Sequence, residues 1–265
     1  GWREGEVDGH RRELAQFRTR EVPRADGYSV TLSIDANVQS IIEDEVAALV
    51  RKYQPQKATI VVSDPRTGFI LGLANYPTYD LNASVRGELG RTPAQVREAI
   101  AAQRNIAVTD LYEPGSVFKI VAASGALEEN LVTPATLFDC SLDRILYNGL
   151  VRRLPGEDHV FTAPLSVAEI ISHSSNRGAA QLAMRLGDQR FYDYARAFGF
   201  GHATGFPVGG EISGLMLPVK KWDGLTITRM PMGQSVSVTV LRMHQAMSVI
   251  ASGGVLLRPE IVREI

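Results

Sequence analysis

Residues 112 to 120 read YEPGSVFKI, and the run continues to residue 127 as VAASGAL. From Val117 to Leu127 the only charge is the ammonium of Lys119. Pro114 and Gly115 end an irregular segment, and the apolar run behind them predicts a buried helix starting at or near Ser116. Residues three apart share a helix face, so the Ser116 hydroxyl and the Lys119 amine can meet within hydrogen-bond range. Both fall in the first turn, where free N–H groups and the positive dipole end favour an alkoxide and disfavour an ammonium. To act as a base near neutrality the lysine pKa must fall from about 10.4 to about 7 or 8, roughly 4 kcal/mol of environment, which burial supplies. Val117, Phe118, Ile120 and Val121 are the apolar neighbours such a depression requires. The same letters also fit a plainer arrangement, with Ser116 as a helix N-cap and Lys119 snorkelling to water.

A second element bears on that choice. Ser174-Ser175-Asn176 lies between two helical patterns in LSVAEIISHSSNRGAAQLAMRLG. The three residues can cap the second helix. Two adjacent hydroxyls and an amide at a helix junction can equally relay a proton and hold a peptide carbonyl.

Outward from these motifs the chain alternates helix and strand signals. Residues 1 to 28 are charged, glycine-punctuated and without steady periodicity, and read as a linker or the edge of another domain. SVTLSI alternates like a half-buried strand, and Asp35 stands where a helix N-cap is wanted. Val38, Ile41, Ile42, Val46, Leu49, Val50 and Tyr53 then recur at three- and four-residue steps, predicting an amphipathic helix. Two β-rich runs flank Pro65-Arg66-Thr67-Gly68, a hairpin signal that opens an antiparallel sheet. A helix is predicted from Thr92 to Ala102, and a short ribbon around RILYNGLVRRL within an irregular region from about residue 133 to 164. The last helix has Thr239 as N-cap and Gly253-Gly254 as its stop, and LLRPEIVREI begins another strand.

Composition narrows the function classes. In 265 residues there are 28 Lys and Arg against 29 Asp and Glu, scattered without a basic stripe, so nucleic acid is not an expected partner. The single Cys140 excludes an internal disulfide and reads as a small buried hydrophobe. His10, His159, His173, His202 and His244 lack metal-ligand spacing, so neither a metal nor another cofactor is expected, and of the five His173 lies beside the serines. No stretch approaches the roughly 18 apolar residues a spanning helix needs. With Gly1 first and no signal-peptide pattern, the chain is expected to be a fragment whose targeting segment lies upstream. Gly233-Gln234-Ser235 suggests half of a nucleophile elbow, but Ser237 stands where the second glycine should. Trp222 and the aromatics of residues 191 to 200 read as core.

Read together, Y-E-P-G-S-x-F-K and S-S-N resemble the first two motifs of the serine acyltransferases that include penicillin-binding proteins and serine β-lactamases. The chain is most similar to the transpeptidase domain of class B penicillin-binding proteins. The phrases VTLSIDANVQ, VVSDPRTGFILGLANYPTYDLN, RNIAVTDLYEPGSVFKI, LSVAEIISHSSN, ARAFGFGHATG and SVSVTVLRMHQAMSVIASGGVLLRP carry the resemblance over nearly the whole length. It implies an α+β, β-lactamase/transpeptidase-like fold, with an antiparallel central sheet flanked by helices. It also implies a linker or the end of an N-terminal pedestal domain at 1–28 and the transpeptidase domain at 29–265.

For chemistry, the resemblance implies that Ser116 attacks the carbonyl of the penultimate D-Ala of a peptidoglycan stem peptide. Lys119 takes its proton, Ser174 relays a proton toward the leaving D-Ala, and Asn176 binds the substrate amide and helps position Lys119. The Ser116 N–H gives half of an oxyanion hole. A β-lactam would trap Ser116 as a stable ester. A periplasmic, membrane-anchored place in the bacterial envelope is implied, with other envelope-synthesis proteins as partners, and EPGSVFKI and FGFGHATG lean toward a division-type enzyme. Two other readings stay open, a class D-type β-lactamase and an inactive penicillin-binding or sensor domain. The third family motif, K-[ST]-G, has no counterpart, since the last lysines are Lys220 and Lys221 in VKKWDG. Part of the central sheet is therefore expected to lie outside this chain, in a missing C-terminal segment that is carried on a separate chain of a nicked protein, omitted from this sequence, or lost in a degraded paralogue, and the fragment alone is expected to be inactive.

Overall fold

The computed structural model describes residues 2–10, 12–80, 92–208 and 210–265. They form two units, Gly1–Leu32 with Val262–Ile265, and Ser33–Ile261.

In the first unit β1 (Trp2–Val7) and β2 (Glu13–Val22) make an antiparallel hairpin, and β3 (Thr31–Leu32) pairs with a closing strand, Val262–Glu264. A ribbon thus stands where the sequence reads as linker or domain edge. Register shifts on both sides of Gly5 break the two-residue alternation that would have announced it. Charged side chains add to the backbone pairing: across the strands Arg3 Nε donates to Glu21 Oε1 at 2.9 Å and the Arg20 guanidinium lies 5.2 Å from the Trp2 ring centroid, while within β2 Arg18 bonds both Glu13 and Glu21.

The second unit opens with α1 (Ala36–Tyr53), whose Asp35 cap accepts from the Asn37 and Val38 N–H groups as predicted. Its buried stripe is narrower than the periodicity implies. Ile42 and Val46 are buried, while Ile41 and Tyr53 face solvent at 60% and 66% exposure. The hairpin of β4 (Ala58–Ser63) and β5 (Ile70–Tyr76) follows in the predicted place, paired from Ala58–Tyr76 to Ser63–Ile70. Close approach of α1 to β5 depends on Gly72, since a Cβ there would stand 2.8 Å from Ile42 Cδ1.

Next come α2 (Pro93–Ala102), capped reciprocally by Thr92 and Gln95, and the single turn α3 (Ile106–Thr109). The YEPGSVFKI stretch enters a 3₁₀ turn over Gly115–Phe118 that leads into α4 (Lys119–Glu128). Beyond it β6 (Leu137–Phe138) pairs with β9 (Leu165–Ser166), and β7 (Arg144–Tyr147) with β8 (Leu150–Arg153). Asn148 and Gly149 turn the latter ribbon with φ of 50° and 74°. Then come α5 (Val167–Ser172), α6 (Asn176–Leu186) and α7 (Asp188–Ala197). β10 (Leu215–Met216), α8 (Thr226–Arg229), β11 (Val236–Ser237) and α9 (Val240–Ala251) complete the unit, β10 pairing with β11 and Thr239 capping α9.

Helices and antiparallel ribbons in separate stretches make this an α+β protein, and each sheet among the described residues has two strands. The main core gathers α4, α6, α7 and α9 around fully buried Phe118, Phe191 and Phe200. Trp222 packs edge-on against Phe191 and Tyr192 at its margin. Among the described residues no helix is long and apolar enough to cross a membrane.

Candidate active site

The turn that carries Ser116 is anchored from below and braced from the side. Phe118 is wholly buried, its ring 4.6 Å from that of Phe200 and 6.5 Å from that of Phe191. Burying such a side chain contributes about 2–3 kcal/mol. On the flank, Tyr112 and Val238 exchange both backbone hydrogen bonds, at 3.0 and 2.9 Å. Ser235 N–H donates to Glu113 Oε1 at 3.0 Å, and Gly115 N–H to Gly233 O at 3.3 Å. Gly233 has φ of 79°, and a Cβ on it would lie 2.1 Å from Gly115 O. Residues 233–238 therefore have a task that the nucleophile-elbow reading missed, as a brace behind the serine turn.

Because the helix begins as a 3₁₀ turn, residues 116 and 119 eclipse more closely than in an α-helix. Ser116 and Val117 face outward, Val117 at 46% exposure, while Lys119 turns inward at 2%. Val117 thus adds nothing to the apolar shell expected around the amine. Of the expected neighbours Phe118 and Val121 are fully buried and Ile120 is partly buried. Lys119 Nζ donates to the Ser174 carbonyl and lies 2.9 Å from Ser174 Oγ. Burial pushes its pKa below the ordinary lysine value, against the pull of the Glu157 and Asp158 carboxylates toward the ammonium. The snorkelling alternative is overturned, since the amine does not reach water. Its hydrogen bonds run to Ser174, where the sequence reading pointed to Ser116.

Ser174 belongs to the turn that ends α5. With His173 as C-cap, Ser174 N–H bonds Ile171 O at 3.2 Å and Ser175 N–H bonds Ile170 O at 2.9 Å, a Schellman pattern. Its third position calls for the left-handed region, and Ser174 takes it with φ of 57° where glycine is usual. The cost is about 1 kcal/mol. That strained backbone turns both the carbonyl and the hydroxyl of one residue toward Lys119.

Ser175 then caps α6, accepting from Gly178 N–H at 2.9 Å. The Asn176 and Arg177 N–H groups donate to the Glu157 carboxylate at 2.9 and 2.8 Å, and Ser175 Oγ donates to it at 2.6 Å. An acid at a helix N-terminus satisfies free N–H groups and the dipole together. The capping reading of the serines is thus right for Ser175, whereas Ser174 faces the amine. Asn176 Nδ2 donates to Gly156 O at 2.9 Å, and the hydrogen bonds of Lys119 run to Ser174. His173 is exposed, its ring 6.2 Å from that of Phe161. Among the described residues no cluster of acid, histidine and cysteine side chains could hold a metal ion. A groove of about 1030 Å³ beside α1 and β5 includes none of Ser116, Lys119, Ser174 and Asn176.

An exposed hydroxyl on Ser116, the buried amine of Lys119 at the start of α4 and the Ser174 hydroxyl brought in from the turn between α5 and α6 make up the candidate site. The family model described as Penicillin binding protein transpeptidase domain matches residues 58–265. Penicillin-binding protein PbpB of Mycobacterium tuberculosis is 32% identical over 237 residues, 89% of this chain and 33% of that protein. The probable peptidoglycan D,D-transpeptidase FtsI of Caulobacter vibrioides is 32% identical over 93% of this chain and 39% of its own length. The crystal structure of penicillin-binding protein 3 from M. tuberculosis complexed with ampicillin superposes with a TM-score of 0.79 at 28% identity, covering 98% of this chain and 57% of that one. The chain spans about a third of the length of the curated relatives it matches.

Proposed function

This chain belongs to the penicillin-binding protein transpeptidase family, and we propose on that premise that it carries the serine acyl-transfer site of a class B peptidoglycan D,D-transpeptidase. The observation that supports this best is Lys119, an amine 2% exposed, depressed by burial and hydrogen-bonded to the carbonyl and hydroxyl of Ser174. A neutral amine has two N–H groups and one lone pair. With the N–H groups directed at the two Ser174 oxygens, the lone pair is left for the proton of Ser116.

In this reading Ser116 Oγ attacks the carbonyl of the penultimate D-Ala while Lys119 takes its proton. The C–N bond to the terminal D-Ala breaks, the leaving amine is protonated by way of Ser174, and an ester on Ser116 remains. The amine of a second stem peptide then attacks that ester, losing its proton along the same path, and Ser116 regains its hydrogen. The Ser116 N–H contributes to the oxyanion hole, and the Asn176 amide is assigned to the substrate backbone once it leaves Gly156 O. β-Lactams occupy the same site and acylate Ser116. The setting is the extracytoplasmic face of the bacterial inner membrane, in a division-type role beside other envelope-synthesis proteins. Anchoring falls to a segment outside residues 1–265, and residues 1–28 are a linker or the end of a preceding domain.

Labelling of the intact gene product with fluorescent penicillin tests the reading. A long-lived adduct at Ser116 is expected, with no label after Ser116→Ala. Rapid turnover of nitrocefin without a persistent adduct would replace it with a β-lactamase reading. Acylation without cross-linking of stem-peptide mimics would point to a drug-binding sensor.

A further inference from the structure

Glu157 lies in an irregular stretch 17 residues before Ser174, and neither sequence motif includes it. Its carboxylate accepts from Ser175 Oγ at 2.6 Å, Asn176 N–H at 2.9 Å and Arg177 N–H at 2.8 Å. The same contact is fastened from the other side, where Asn176 Nδ2 donates to Gly156 O and Arg177 Nε to Pro155 O at 3.1 Å. Five hydrogen bonds thus tie residues 155–157 to residues 175–177, immediately after the residue that holds Lys119. A surface carboxylate with no structural task would not gather three donors.

We propose that Glu157 is a positioning residue for acyl transfer: its carboxylate fixes the start of α6 so that Ser174 presents carbonyl and hydroxyl together to Lys119, and its charge acts on that amine. The inference rests on the acyl-transfer reading above. Two effects follow from one group. The clamp keeps Ser174 in its left-handed conformation, which a free serine rarely adopts. The negative charge favours the ammonium and so opposes the depression that burial imposes on Lys119. Charge on the amine comes from Glu157 and Asp158 on this loop. From α5 and α6, His173 is exposed, and Arg177 turns its guanidinium to the Cys140, Ser141 and Pro155 carbonyls.

The test is the rate of Ser116 acylation by fluorescent penicillin as a function of pH, in the intact protein and its Glu157→Gln and Glu157→Asp variants. In Glu157→Gln the rate is expected to fall at least about tenfold, the worth of one hydrogen bond to a charged acceptor. Removing the anion lowers the Lys119 pKa, so more of the amine is neutral at a given pH. The acid limb of the profile should therefore move to lower pH. Glu157→Asp keeps the charge on a shorter arm and is expected to slow acylation less, with the limb at its original pH. An unchanged rate in Glu157→Gln, or a slower rate with the limb unmoved, overturns the proposal, the second because loss of packing alone would do the same. Should Glu157→Gln fail to fold by thermal melting, the aspartate variant decides, and a displaced limb there overturns it. Absence of any Ser116 adduct in the unaltered protein would overturn the acyl-transfer reading, and this inference with it.

Discussion

The two turns that meet at Lys119 are held by different forces. The serine turn at 114–118 hangs from one buried ring, Phe118, and is braced by the close backbone approach of Gly233 to Gly115. The turn at 173–177 buries no large apolar side chain. It is fixed by a Schellman pattern, a serine cap and the Glu157 carboxylate. Apolar anchoring is non-directional and strong per side chain, whereas the hydrogen-bonded clamp is directional and weaker per contact. On the acyl-transfer proposal the nucleophile is thus set by packing and its proton path by polar geometry, and the two should fail separately.

Phe118→Ala should break the first turn most severely. Truncating a buried Phe costs about 3–5 kcal/mol, read as a lower denaturant midpoint, with penicillin labelling lost as the fold is lost. Gly233→Ala strikes the same turn without touching the core. The added Cβ meets Gly115 backbone at a position that also demands positive φ, so a loss of about 2–3 kcal/mol and displacement of Ser116 are expected. Labelling that survives Gly233→Ala at full rate would show the brace to be dispensable. Ser174→Gly sharpens the contrast with the smallest change in stability. Glycine relieves the left-handed strain, so the melting temperature should rise by the equivalent of about 0.5–1 kcal/mol. Acylation should nevertheless slow by about a hundredfold, because the hydroxyl beside Lys119 is gone. A stabilised variant that acylates normally would remove Ser174 from the mechanism.

Much of this arrangement is legible in the sequence because it is written locally. The Asp35 and Thr239 caps, the α1 periodicity, the β4–β5 hairpin and the buried Lys119 each follow from neighbours within a few residues. Helix junction and serine pair also read correctly, since capping chemistry is short-range. What escapes is non-local or off-period. Glu157 reaches α6 from an irregular stretch with no hydrophobic period, and Glu113 meets Ser235 across 122 residues. Val117 is exposed because the helix starts as a 3₁₀ turn, which rotates the apolar stripe by part of a turn. The β1–β2 ribbon hides behind its irregular register.

The first turn of α6 carries one further consequence. Its amides at 176, 177 and 178 are all spoken for, two by Glu157 and one by Ser175. A carboxylate from outside would ordinarily find a helix start attractive, but here that berth is filled by a side chain of the same sign, so any anionic group bound nearby needs its donors from another element.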